Sequence, residues 1–161
     1  MLKWFKLTKK QYIGFFALGL AFFILQELPY IVMPFIPLTT NPLMEMEDKS
    51  VLLNAIEKVC GISSIIIMLF LVRDDGKWFS LGTKQEKAYF CTALIVILGY
   101  FIGWAFYFTG FQSFPLIICT LVALPPIYYS LIGMWRKNYA LTACGCLFLI
   151  VHIANVWNNL K

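Results

Sequence analysis

Charge is what this chain has least of: Asp, Glu, Lys and Arg together make up 13% of its 161 residues, about half the share in an ordinary soluble domain. A water-soluble fold of this size is excluded, because hydrophobic residues reach 61% and too little polar surface remains to cover them. Motifs that carry chemistry are missing as well. There is no C-x-x-C pair for thiol redox work, no H-E-x-x-H or H-x-x-E-H for a metal, no phosphate-cradling glycine loop and no nucleophile elbow. With a single histidine and no spaced ligand set, neither a catalytic residue, a metal nor a cofactor is expected, and nothing points to an enzyme. Internal repeats and low-complexity tracts are also absent. The lysine-rich start followed by an apolar run has the outline of a secretory signal peptide. It lacks the small-residue cleavage site, however: Gln26-Glu27-Leu28-Pro29-Tyr30 follows Leu25.

What the chain does have is long apolar runs. Crossing a hydrocarbon core of about 30 Å takes about 20 apolar residues in a helix. Runs over 12–36, 51–72, 88–108, 114–135 and 139–157 meet that length, the last three without a single Asp, Glu, Lys or Arg. The expected fold is therefore all-α: one polytopic helix bundle of about five transmembrane helices over 1–161, with no room for a second domain. Its principal partner is the lipid bilayer, and its expected location is the cell membrane.

Positive charge then sets an orientation, since cytoplasmic loops carry the excess of Lys and Arg. Lys3, Lys6, Lys9 and Lys10 precede the first run, Arg73, Lys77, Lys84 and Lys87 lie between the second and third, and Arg136 and Lys137 between the fourth and fifth. The opposite side has Lys49 and Lys161, with Lys58 nearby, and the acidic cluster Glu45, Glu47 and Asp48. This pattern predicts a cytoplasmic N-terminus and an outside C-terminus. The net charge of +5 then belongs to topology and anionic lipid rather than to nucleic acid. Residues 1–10, with Leu2, Trp4, Phe5 and Leu7 among lysines, read as a short anchor on the cytoplasmic leaflet.

Several local features refine the helices. Thr83-Lys84-Gln85-Glu86 has capping-box spacing for the start of the third helix, and Asp74-Asp75-Gly76-Lys77 and Ser80-Leu81-Gly82 read as turns before it. Gly99 and Gly103 have the G-x-x-x-G spacing that lets another helix approach, within the chain or from a membrane-protein partner. Pro125-Pro126 removes two successive backbone donors near the middle of the fourth run and predicts a kink there. Trp4, Trp78, Trp104, Trp135 and Trp157 fall mostly near run ends, as interfacial belts do. All five cysteines lie inside the runs, and Cys144 and Cys146, two apart, face away from each other on a helix.

Ionisable residues inside such runs are costly, and here they are Glu27, Glu57 and His152. At about 1.5 Å per residue, Glu27 lies about 22 Å from the inner start of its helix, Glu57 about 9 Å from the outer start of its own, and His152 about 20 Å from the inside. All three reach one depth in the outer half. Asn54, Glu57, Gly61 and Ser64 share one helix face, and so do Gly145, His152 and Asn155. The expectation is a polar pocket in which Glu27, Glu57, His152, Asn54 and Asn155 bind or pass a small solute, a proton or another cation. The alternative is an accessory subunit that meets another membrane protein through glycine and aromatic faces. In size and tryptophan content the chain resembles the tryptophan-rich sensory and translocator proteins. Their W-Y-x-x-L-x-K-P and W-x-P-P motifs are absent, however, with Leu38-Thr39-Thr40-Asn41-Pro42-Leu43 after the first run, and no family is assigned on that likeness.

Overall fold

The computed structural model describes residues 2–8, 11–73 and 77–160. Five of its helices are long and apolar enough to cross a membrane. We label them α1 (Ala17–Val32), α2 (Val51–Phe70), α3 (Lys84–Phe108), α4 (Phe114–Trp135) and α5 (Tyr139–Leu160). A 3-10 turn, Met33–Phe35, prolongs α1.

Helix ends follow the local chemistry. Ser50 caps α2 by accepting from the Leu53 N–H at 3.3 Å. The capping box of α3 is formed: the Glu86 N–H donates to Thr83 Oγ1 at 3.1 Å, and Glu86 Oε2 accepts from the Thr83 and Gly82 N–H groups and from Ser80 Oγ. Ser80 and Gly82 thus serve the cap of α3, while residues 74–76 of the expected turn lie outside the described residues. Past the other end of α3, Gly110 takes φ +89°, a left-handed conformation that glycine adopts without strain.

The all-α expectation fails at the N-terminus. Leu2–Lys6 (β1), Gln11–Phe15 (β2) and Leu71–Arg73 (β3) form a three-stranded antiparallel sheet in the order β1-β2-β3. The first helix therefore begins at Ala17 and not at 12, and the second ends at Phe70, two residues before the expected end at 72. The physical reason is that Tyr12, Ile13, Phe15, Leu71 and Val72 are aromatic and branched residues suited to strands, and an apolar run alone does not separate strand from helix. Gly14 lies against the Leu2 carbonyl with no space for a Cβ, so β1 closes tightly on β2. The other two corrections lengthen helices: α3 starts four residues before 88, and α5 runs three residues beyond 157.

The helices alternate in direction, and contacts between their ends fix two poles. At the sheet pole, Phe16 N–H donates to the Leu69 carbonyl at 2.9 Å, Trp135 Nε1 to the Ser80 carbonyl at 2.8 Å, and Asn138 Nδ2 to the Leu71 carbonyl at 3.2 Å. Lys137 pairs with Glu86 at 3.5 Å. At the loop pole, Tyr107 OH donates to Asn41 Oδ1 at 2.7 Å and accepts from the Leu43 N–H, and the Lys49 N–H donates to Asn159 Oδ1 at 3.2 Å.

Helix α4 is the central element, packed against α3 on one side and α5 on the other, with α5 also packed on α2. Small residues bring it close to both neighbours. A Cβ on Gly103 of α3 would collide with Thr120, and one on Gly145 of α5 would meet Ser130 Oγ at 2.5 Å. Gly99 has only ordinary contact with Leu124, so one of the two spaced glycines carries the close approach. Where the sequence leads one to expect a kink, the hydrogen-bond ladder of α4 changes its pattern. Residues Ile117–Val122 form a π-helical stretch, the Ala123 N–H donates to the Ile118 carbonyl at 3.0 Å, and the α-helix restarts at Leu124–Trp135 with both prolines in its first turn. Proline is well accommodated in the first turn of an α-helical segment, and here the two rings leave the Leu121 and Val122 carbonyls without their usual donors.

The tryptophans divide. Trp4, Trp78 and Trp157 are exposed, as belt residues would be, but Trp104 and Trp135 are sealed in the core. Trp104 stacks edge-on against Tyr30, with centroids 4.9 Å apart, and against Tyr107.

Candidate functional site

Helix α1 meets α2 near the sheet pole, where Phe16 bonds Leu69 and Gly19 faces the Met68 carbonyl. Farther along it leans on α3 and α4 instead. Phe22 packs edge-on against Tyr128 and Trp135, Gln26 bonds tyrosines of both helices, and Tyr30 stacks on Trp104. Between the two helices lies a cavity of about 430 Å³.

Four helices line it. From α1 come Gln26, Glu27 and Tyr30, and from α2 come Asn54, Glu57, Lys58, Gly61, Ile62 and Ile65. Helix α4 adds Pro125 and Tyr129, and α5 adds Phe148 and His152. Lys58 and Ile62 are exposed and mark the mouth, on the flank of the bundle between α1 and α2. Gly61 makes room for Phe148, whose ring would sit 3.3 Å from an added Cβ, and Phe148 in turn stacks on the His152 imidazole with centroids 4.9 Å apart.

Glu57 is held on both oxygens. His152 Nδ1 bonds Oε1 and Asn155 Nδ2 donates to Oε2. Asn155 Nδ2 also reaches Asn54 Oδ1 at 3.3 Å, and Asn159 Nδ2 donates to Asn155 Oδ1 at 3.4 Å, which extends the network along the α2–α5 seam to the Lys49 backbone. With Nδ1 engaged by Glu57, His152 keeps Nε2 for another partner. The second polar group is Gln26, only 2% exposed. It accepts from Tyr129 OH and donates to Tyr100 OH at 3.4 Å, so its amide is clamped between α3 and α4.

Glu27 differs from both. Its side chain lines the cavity, yet among the described residues it has no hydrogen-bond or ion-pair partner. Lys58 is in the same position, and the two do not pair with each other.

The structure thus brings Glu27, Glu57, His152 and Asn54 to one cavity, and sets Asn155 behind Glu57 as its hydrogen-bond donor. Tyr30, Tyr129, Phe148 and Pro125 were not anticipated. A usable signal existed, because each lies four residues from another pocket residue or pairs with one at that spacing: Gln26 with Tyr30, Pro125 with Tyr129, Phe148 with His152. Leu121 and Val122, whose carbonyls lose their usual donors to the prolines, are buried in the core and do not line the cavity.

The cysteines play no part in the site. All five are free; Cys144 accepts from Ser64 Oγ at 3.3 Å on the α2 side, while Cys146 faces Ser130 of α4. Among the described residues no group of three His, Cys, Asp or Glu side chains converges to hold a metal ion. No family model, curated protein or solved structure matches the chain, so its functional reading rests on this geometry.

Proposed function

We propose that the chain is a multi-pass integral membrane protein of the cell membrane, with a cytoplasmic N-terminus and an outside C-terminus, and that its cavity is a binding site for a small solute in the outer half of the bilayer. One observation carries this reading: Glu27, without a hydrogen-bond or ion-pair partner among the described residues, faces the same open cavity as the Glu57–His152 pair. A network serving only to hold helices together would satisfy its own polar groups, since each unmet one is costly in an apolar setting. Glu57, His152, Asn155 and Asn54 do satisfy one another, and Glu27 does not.

The orientation is supported by the two poles. Arg73, Lys77, Arg136 and Lys137 gather at the sheet pole with β1 and its lysines, whereas Glu45, Glu47 and Asp48 belong to the loop pole. The accessory-subunit alternative loses one support, because the space at Gly103 is already filled by Thr120 and Leu121 of the same chain.

The test is a thermal-shift screen of purified protein in detergent against amino acids, polyamines, nucleosides and lipid headgroup analogues, followed by proton-flux assays in liposomes with any hit. A hit should stabilise the wild type and fail to stabilise a folded Glu27→Gln variant. Equal stabilisation of both proteins would remove Glu27 from the site.

A further inference from the structure

The cavity is long and unevenly polar. It follows α2 from Asn54 to Ile65, a rise of about 16 Å at about 1.5 Å per residue. Asn54, Glu57 and Lys58 occupy the end nearer the loop pole, Ile62 the middle and Ile65 the part toward the sheet pole, with Phe148 packed against Gly61 between them. Its mouth is lateral: Ile62 stands about 16 Å from the start of α2 and is 58% exposed. In a bilayer, a mouth at that depth opens onto acyl chains and not onto water.

An acid and a base, Glu27 on α1 and Lys58 on α2, line the cavity, and among the described residues neither has a hydrogen-bond or ion-pair partner. Glu57 offers no comparable vacancy, because His152 and Asn155 take both its oxygens. Charge complementarity then calls for a ligand that carries both signs. The apolar limb calls for a hydrocarbon chain on the same molecule.

Resting on the reading of the cavity as a binding site, we infer that its ligand is a zwitterionic amphiphile with an amine and an acidic group in its head. The amine meets Glu27, the acidic group meets Lys58, and the chain lies along Ile62 and Ile65 after entry between α1 and α2. An outer-leaflet lipid already has this attitude, head toward the loop pole and chain toward the midplane. A free zwitterion such as an amino acid shares the head chemistry but leaves the apolar limb empty.

The experiment uses the full chain in detergent and native mass spectrometry, with four probes: phosphatidylethanolamine, phosphatidylglycerol, glycerophosphoethanolamine and alanine. Wild-type protein should retain phosphatidylethanolamine at least tenfold over phosphatidylglycerol and retain the two chain-free probes weakly. Glu27→Gln should bring the two lipids within about twofold of each other, since only the amine loses its partner, and Lys58→Gln should weaken both. Ile62→Trp should block both lipids, and because Ile62 is exposed the fold does not depend on it. Equal retention of the two lipids by the wild type, or an unchanged preference in Glu27→Gln, overturns the inference. If a chain-free probe binds as well as the lipid and Glu27→Gln abolishes it, the amphiphile is wrong while the binding site stands. If no probe binds above the level seen in Ile62→Trp, both readings fall.

Discussion

Each ionisable residue in the cavity has a separate position, and their energies should differ accordingly. Glu57 and His152 are each 15% exposed at the side chain and joined directly, so removing one leaves the other half-satisfied. Polar contacts between membrane helices are worth about 0.6 kcal/mol on average and up to about 1.7 kcal/mol, and a bond to a charged group belongs at the upper end. A double-mutant cycle of Glu57→Gln and His152→Ala, read by unfolding in a denaturing detergent, should therefore give a coupling of about 1–2 kcal/mol. A coupling below about 0.3 kcal/mol would mean that the pair does not form. Glu27→Gln should change stability little, because no bond is lost. Part of this was legible from the sequence: counting residues along helices of alternating direction brings Glu27, Glu57 and His152 to one level, although the count for Glu27 began at residue 12 and the helix begins at Ala17. Counting gives depth and not rotation, so it could not tell that Asn155 lies behind Glu57 or that Glu27 stays unpartnered.

Among the elements, α4 makes the strongest demands on its neighbours. Gly103 and Gly99 share a helix and a spacing motif, yet only Gly103 touches α4 at a distance that excludes a Cβ. Gly103→Ala should then cost about 1–3 kcal/mol through overpacking, while Gly99→Ala should be nearly neutral. Thermal denaturation of the two variants side by side checks this, and equal effects would contradict the packing described. The prolines make a complementary case. Pro125 and Pro126 stand in the first turn of the restarted helix, so Pro126→Ala restores an N–H one turn from the Val122 carbonyl while leaving a small void next to α5, two opposed effects that should leave stability nearly unchanged in thermal denaturation. The sequence announced an interruption at these residues but not its form, because the ladder is rerouted upstream through the π stretch at Ile117–Val122, where nothing in Ile-Ile-Cys-Thr-Leu-Val marks it. The sheet escaped notice for a related reason. Hydropathy runs unbroken from Tyr12 into α1 and from α2 into Val72, and it records apolar character without the backbone conformation.

At the scale of the whole molecule, the separation of charge between the poles predicts its placement in a bilayer. A reporter fused after Lys161 should be active only outside the cell, and one inserted between Gly76 and Lys77 only inside; a cytoplasmic C-terminus would contradict five spans. The account as a whole stands on the contrast within the cavity, an open Glu27 against a Glu57 closed off by His152 and Asn155. Labelling with dicyclohexylcarbodiimide, an apolar reagent that modifies carboxyl groups in lipid-accessible pockets, followed by mass spectrometry of the peptides, addresses that contrast directly. The account predicts a single dominant adduct in the helices, on Glu27, lost in Glu27→Gln and reduced in Ile62→Trp, where the lateral mouth is filled. Modification of Glu57 in preference to Glu27, or labelling of Glu27 that Ile62→Trp leaves unchanged, would contradict it.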